Sequence, residues 1–291
     1  KKDLDKQLDL IIEKVETAGS WIKPFKGAIA GGLPQNFKTK ENYKGMNVFS
    51  LWLESVSKGY SSNKWLTFKQ CKELKGSIIK GEKSTPIFFF KPLKIKEQFE
   101  DKNTGAVEEV EKYIPMLKMY QVFNIAQTTL KDEELQELEE DETTTPQKID
   151  EAEEFFSNLD FLELRSVSLQ PYYNPNQDIK NFIGAGEYYS TLGHEYIHAT
   201  GHASRLDRFE NKTSKQDYAY EELIAEIGAI FLMAHLGIKE EAIQDNSNAY
   251  LKSWLQALKN DKKYLWKAGA EAQKAFTYLA EYEKVNKQLV A

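Results

Sequence analysis

A chain of 291 residues with 41% hydrophobic and 29% charged residues is globular in composition and long enough for two ordinary domains, which excludes a disordered or collagen-like protein. One cysteine, Cys71, excludes a disulfide framework within the chain, and no apolar run approaches the roughly 20 residues that span a bilayer. The net charge of -6 is uneven: residues 1–125 hold 22 Lys, no Arg and 15 acids, whereas residues 126–160 hold 2 Lys and 13 acids.

In chain order, Leu4, Leu8, Ile11, Ile12 and Val15 recur at helical spacing and predict a helix over 4–18, ended by Gly19. A loop-rich stretch follows through Trp21-Ile-Lys-Pro and Gly31-Gly-Leu-Pro. Helices are expected at about 47–58 and 67–74, the second with Thr67 as its N-cap. β-branched and aromatic runs at 77–80, 86–95 and 113–123 read as strands, with Asp101-Lys-Asn-Thr-Gly as a turn between the last two. These elements make a small α+β domain over 1–127.

Residues 128–150, with Asp132-Glu-Glu, Glu139-Glu-Asp-Glu and Thr143-Thr-Thr-Pro, read as a solvated acidic linker. A second domain over 151–291 begins with a helix at 151–159 and strand candidates at 161–169 and 170–182. It continues with helices at 186–200, 217–236, 246–259 and 262–288. The fold class is α+β in two domains, the second mainly helical with a small sheet. No secretory segment opens the chain, so the cytoplasm is the simplest location and no membrane partner is expected. Because the first residue is Lys1, a few native residues are expected to precede it.

The chemistry concentrates in His194-Glu195-Tyr196-Ile197-His198. Residues i and i+4 of a helix share a face, so both imidazoles reach one metal ion, and Glu195 can touch a water beside it. Such a motif also arises by chance on helix surfaces. Here three of the 4 histidines fall within 194–202, and Leu192, Ile197 and Ala199 indicate a partly buried helix. A catalytic zinc takes three protein ligands. The helix around 217–236 offers Glu222 as the third, with Glu226 on the same face to orient a ligand histidine; the reverse assignment is the competitor. A three-histidine plan fails at Ser204, and His202 is expected instead to line the cleft or support the loop. One zinc per chain, or another divalent metal, would polarise a scissile carbonyl and acidify a water, with Glu195 accepting the proton. Tyr218, Tyr220 or His202 could stabilise the oxyanion.

The basic front interleaves lysines with aromatics around Trp21, Lys64-Trp65, Lys80, Lys83 and Lys91, a pattern suited to single strands. Its lack of Arg argues against base reading in duplex DNA. For Trp52 and Phe88–Phe90 the plainer reading is core.

The two halves together resemble the ArdC-type antirestriction proteins of mobile elements. The front carries Gly32-Leu-Pro34-x-Asn36, Tyr43-x-Gly45-x-Asn47, Trp65-Leu-Thr67-Phe, Lys80-Gly-Glu-Lys83-x-Thr85-Pro86 and Tyr120-x-Val-Phe-Asn124. The back carries His194-Glu-x-x-His198-x-Thr-Gly-His202, Tyr218-Ala-x-Glu-Glu222-Leu-x-Ala-Glu226 and Ser253-Trp254-Leu. Ala199, where an aromatic is common, and the acidic segment depart from the pattern. The resemblance implies a single-stranded-DNA-binding front domain, with Asn36, Tyr43 and Asn47 among its DNA-contacting residues. It also implies a zincin-like metallopeptidase back domain acting on a protein substrate, and protection of incoming DNA from restriction. The competing expectations are a non-catalytic DNA-binding protein with a structural metal and, last, acidic mimicry of DNA.

Overall fold

The computed structural model describes residues 2–25, 27–100, 107–131, 146–159, 161, 182–209, 214–238 and 251–290. Helix α1 (Lys2–Ala18) buries the five apolar residues set at helical spacing, and Gly19, at φ 59°, ends it. Helix α2 (Met46–Lys58) stops in the same way: Gly59 is left-handed and donates its N–H back to the Ser55 and Val56 carbonyls. Helix α3 (Phe68–Glu73) starts from a reciprocal cap in which Thr67 accepts from the Gln70 N–H and the Gln70 side chain accepts from the Thr67 N–H.

Four strands form one sheet: β1 (Gln35–Asn36), β2 (Lys64–Thr67), β3 (Thr85–Glu100) and β4 (Val107–Asn124), in the order β1-β2-β4-β3. β1 runs parallel to β2, and the other neighbours are antiparallel. β3 and β4 pair from Thr85↔Val122 to Glu100↔Val107, both longer than the sequence pattern indicates. The strand expected at 77–80 is absent. That segment meets residues 127–129 through single bonds, Ile79 N–H to Gln127 and Thr129 N–H to Ser77. Gly81, at φ 97°, then turns the chain before a ladder can extend. The turn at 101–105 lies outside the described residues.

From residue 146 onward the described elements are helical: α4 (Pro146–Ser157), α5 (Phe182–Ala199), α6 (Lys215–His235), α7 (Leu251–Asn260) and α8 (Lys263–Val290). α4 begins five residues before the expected 151, on a proline whose missing N–H has no helical partner to lose. Apart from Phe161 and Phe182, the strand candidates at 161–182 lie outside the described residues, as do 132–145 of the acidic segment. No helix among the described residues is long and apolar enough to cross a membrane.

One core joins both halves. Leu8 and Ile11 of α1, Phe49 and Trp52 of α2, Phe231 of α6 and Phe276 of α8 belong to a single buried cluster. The Phe49 and Phe231 rings lie 5.4 Å apart. α8 crosses the start of α2 so closely that a Cβ on Gly269 would meet the Met46 sulfur at 2.6 Å. The Gly45 N–H also donates to Gln273 at 3.0 Å. A smaller cluster of Tyr43, Leu51, Trp65, Ile87 and Val122 packs beneath the sheet. At roughly 1.5–3 kcal/mol per large buried side chain, these apolar contacts hold the two halves together far more firmly than surface charges could.

Candidate metal centre

α5 and α6 build the centre by close antiparallel packing. Gly193 of α5 lies against Leu232 and Met233, and Gly228 of α6 lies against Ile197, where an added Cβ would stand 2.8 Å from the side chain. With no side chain at these two crossings, the backbones approach and the polar side chains one or two turns away meet. α6 is started by a reciprocal cap between Ser214 and Asp217, which fixes the register of the residues that follow.

The result brings His194, His198 and Glu222 together. The two Nε2 atoms are 3.1 Å apart; Glu222 Oε2 lies 3.5 Å from His194 Nε2, and Oε1 lies 3.3 Å from His198 Nε2. Donors bound tetrahedrally at 2.0–2.1 Å are separated by about 3.3 Å, so these three fit a small divalent cation. The donor chemistry fits as well, since two imidazole nitrogens and a carboxylate oxygen suit a borderline ion of the zinc type.

Each imidazole turns its other nitrogen to a carboxylate. His194 Nδ1 faces Glu226 Oε2 at 3.7 Å, and His198 Nδ1 faces Glu221 Oε1 at 3.4 Å. Glu226 therefore stands behind the histidines, and Glu222 beside them in the cluster. Spacing alone does not single out Glu221 or its partner Arg208. The Arg208 guanidinium is buried and grips both Glu221 oxygens, at 2.6 and 3.2 Å; it also donates to the Thr200 hydroxyl and the Ile197 carbonyl, each at 2.7 Å. One side chain thus satisfies the end of α5 and fixes the carboxylate that orients His198. The one sequence signal for it is that Arg205 and Arg208, two of the chain's three arginines, directly follow the histidine motif.

Burial disfavours the imidazolium form at His194, but the Glu222 and Glu226 carboxylates outweigh it and raise the pKa to about 9. His198 is raised as well, its burial overcome by Glu221 and Glu222. Burial opposes ionisation of Glu222, yet the two histidines hold it well below the ordinary carboxylate range. Glu221 is lowered by His198 and Arg208 against the same penalty. The cluster attracts positive charge, whether as protons or as a cation.

Beside it opens a cavity of about 500 Å³ lined by His194, Glu195, His198, Phe209, Tyr218 and Glu222 among others. Glu195 is exposed on its wall. The Tyr218 hydroxyl bonds to Glu222 at the rim, whereas Tyr220 packs on Tyr264 with ring centroids 4.5 Å apart, outside the cavity lining. His202 does not join the site. Its Nδ1 meets the Ser204 hydroxyl at 2.9 Å and accepts from the Ser204 N–H, so it supports its own turn.

In the front half, burial removes three residues expected to touch DNA, Trp21, Trp65 and Asn47. Trp21 and Trp65 are fully buried, Trp21 edge-on to Phe49 and Trp65 to Tyr60. Asn47 is buried and clasps β3, donating to the Phe88 carbonyl at 2.8 Å and accepting from its N–H at 2.9 Å. Tyr43 is 7% exposed, and its hydroxyl accepts from Asn36 at 3.1 Å. Lys80, Lys83 and Lys91 are exposed, and Asn36 and Lys64 half-buried. Trp52 and Phe88 are core, as the plainer reading has it, but Phe89 and Phe90 are 37% and 47% exposed.

A family model for the N-terminal domain of anti-restriction factor ArdC matches residues 2–123, and one for a zincin-like metallopeptidase matches residues 150–271. The metal-free crystal structure of the antirestriction ArdC protein from the R388 plasmid is 38% identical, with a TM-score of 0.72, and the match covers 97% of this chain and 98% of that one. The Mn(II)-bound structure of the ArdC protein from the same plasmid is 37% identical, with a TM-score of 0.68 and coverage of 96% and 97%. A DNA primase TraC of Escherichia coli is 29% identical over 291 residues, 94% of this chain, which spans only 19% of that protein's length.

Proposed function

The chain belongs to the family of ArdC antirestriction proteins, and we propose that it is a metal-dependent peptidase delivered on single-stranded DNA, acting in the cytoplasm to protect incoming mobile-element DNA from restriction. The observation that carries the catalytic half is the His194–His198–Glu222 cluster with Glu195 exposed on the wall of the same cavity. His194, His198 and Glu222 would hold one zinc ion, which when bound supplies Lewis acidity toward an amide carbonyl and lowers the pKa of a water. Glu195 lies one residue from His194, outside the donor set, so it is free to accept the proton of that water and return it to the departing amine. Glu226, Glu221 and Arg208 keep the two imidazoles turned inward while this happens. Tyr218, at the rim, is the donor best situated to meet a developing oxyanion.

The DNA half rests on the basic, sheet-bearing front and on the family it belongs to, with Asn36, Lys64, Lys80, Lys83 and Lys91 remaining as contacts. A metal that serves stability alone gives neither the cavity nor Glu195 a task.

Glu195→Gln tests the mechanism. It should keep its metal, measured by mass spectrometry of the purified protein, and its affinity for single strands. It should lose about 10²–10⁴-fold in turnover of a peptide library. Cleavage at the wild-type rate would remove Glu195 from the chemistry. No cleavage by the zinc-loaded wild type would leave the metal a structural role.

A further inference from the structure

We infer that single-stranded DNA runs in the groove between the sheet and α8, so that the helical half supplies one wall of the DNA site. This rests on the DNA-binding reading above and adds where the strand lies and what it requires. The groove has a volume of about 910 Å³, well above the roughly 500 Å³ of the metal cavity.

One wall is the hairpin face that carries Phe89 and Tyr120. Their rings lie 5.7 Å apart and are each 37% exposed, so neither is spent on the core. Flat, half-exposed rings are platforms on which any base can stack. Positive charge surrounds them. Lys91 lies two residues from Phe89 on the same face, Lys118 stands opposite Phe89 in the ladder, Lys44 enters from the loop before α2, and Lys284 projects from α8. Among the described residues Lys44, Lys91 and Lys284 make no ion pair, which leaves their charge available to phosphates. Glu41 and Glu281 also line the groove, but the lysines outnumber them.

The floor explains why binding should tolerate any sequence. The Asn36 and Gln70 amides bond to each other twice, each time at 3.2 Å, and Asn36 also donates to Tyr43. These groups are already satisfied and do not demand a particular base edge. The opposite wall is α8, through Gln273 and Thr277 beside Lys284.

The test is fluorescence anisotropy of a labelled oligo-dT of roughly 20 nucleotides with full-length protein at low salt. The double variant Phe89→Ala, Tyr120→Ala should weaken binding about tenfold or more. Lys284→Glu, on the helical half, should weaken it several-fold and flatten the salt dependence by about 0.7 in log–log slope for each phosphate that is no longer neutralised. Lys6→Glu with Lys14→Glu, exposed on α1 and outside the groove, should change much less. All these side chains are exposed, and Phe89→Leu, Tyr120→Leu keeps apolar bulk while removing the rings, so a weakening shared by both double variants reports on stacking. Wild-type affinity in the groove variants, or a weakening confined to the Lys6 and Lys14 variant, overturns the inference while leaving DNA binding intact. Absence of any binding by the wild type overturns the DNA reading itself. Stronger displacement by a poly-glutamate peptide than by an unlabelled strand assigns the groove to acidic protein and likewise overturns it.

Discussion

The metal centre and the groove solve opposite problems. On the His198 side of the metal centre each charged group is held by a second one: His198 by Glu221, Glu221 by Arg208, and Arg208 by the end of α5. Such a site is rigid before anything binds, as a site must be when its ligands converge within a few tenths of an ångström. In the groove the lysines and the Phe89–Tyr120 pair stand half in solvent, and only the amide floor is fixed. A surface of that kind adapts to a flexible strand and gains its affinity from charge and stacking. The contrast implies that damage to the centre should appear as reduced stability or metal content, and damage to the groove as reduced affinity alone.

The largest stability effect should follow from Arg208→Ala. It leaves Glu221 a buried carboxylate with only His198 beside it, and it removes one of the two side-chain donors to the Ile197 carbonyl, the Thr200 hydroxyl being the other. Breaking a buried pair by removing one partner costs about 3–5 kcal/mol, and loosening a ligand's support costs about 10–100-fold in metal affinity. Chemical denaturation and metal titration would measure the two effects. A stable variant with wild-type affinity would show that His198 needs no such support.

Trp65→Ala should come next, at about 3–5 kcal/mol of stability from one fully buried ring, with no direct effect on DNA contacts. Weakened oligonucleotide binding in protein shown to be fully folded would return Trp65 to the DNA surface.

These two cases show what is legible in the sequence. The residues of the His194–His198–Glu222 cluster can be read because the H-E-x-x-H spacing and the acids of α6 are properties of a single helix each, fixed at 3.6 residues per turn whatever surrounds them. Glu222 and Glu226 are exchangeable at that level, because choosing between them requires the crossing of α5 and α6 that Gly193 and Gly228 set. Arg208 and Glu221 are hidden for the same reason: their pairing depends on how residues 200–208 fold back beneath α5. Among the aromatics, Trp65 and Phe89 look alike in a row of letters. Only strand pairing, which buries one and leaves the other at the groove, separates them. The strand expected at 77–80 shrinks to one bridge, Ile78↔Thr128, because β-branched residues show that a segment can pair but not how far the pairing runs before the chain turns at Gly81.

A smaller effect, and a more diagnostic one, is the pH dependence of the metal-free centre. His194 is raised from 6.5 to about 9 in the folded state, so its contribution to stability is full below about 6.5 and is lost as pH rises through about 9. His198 acts in the same direction. Glu222 and Glu221 are lowered, so their contribution is full above their unfolded value and is lost as pH falls through their folded values. The chelator-stripped protein should therefore weaken between about pH 6.5 and 9.5, whereas metal affinity rises over the same range as protons leave the imidazoles. Denaturation midpoints at both ends of the range, with and without zinc, measure this. A flat profile in the stripped protein would mean that the histidines carry no proton there.

The smallest effect concerns what joins the two halves. Lys262 pairs with Asp9 at 2.7 Å, and Lys259 pairs with Glu16, so the end of α7 and the turn after it are linked to α1 by charges on the surface. Both pairs are solvent-exposed and screened by salt, and each should contribute at most about 1 kcal/mol. The apolar seam beneath them, from Ile11 through Phe49 to Phe231, is buried. Lys259→Ala with Lys262→Ala should therefore shift the melting temperature by only a few degrees and leave unfolding a single transition. If the double variant instead unfolded in two steps, the halves would be held by charge, and α8 could swing away from the sheet. The groove would then be the first part of the molecule to lose its wall, while the metal centre, built wholly between α5 and α6, would keep its ligands.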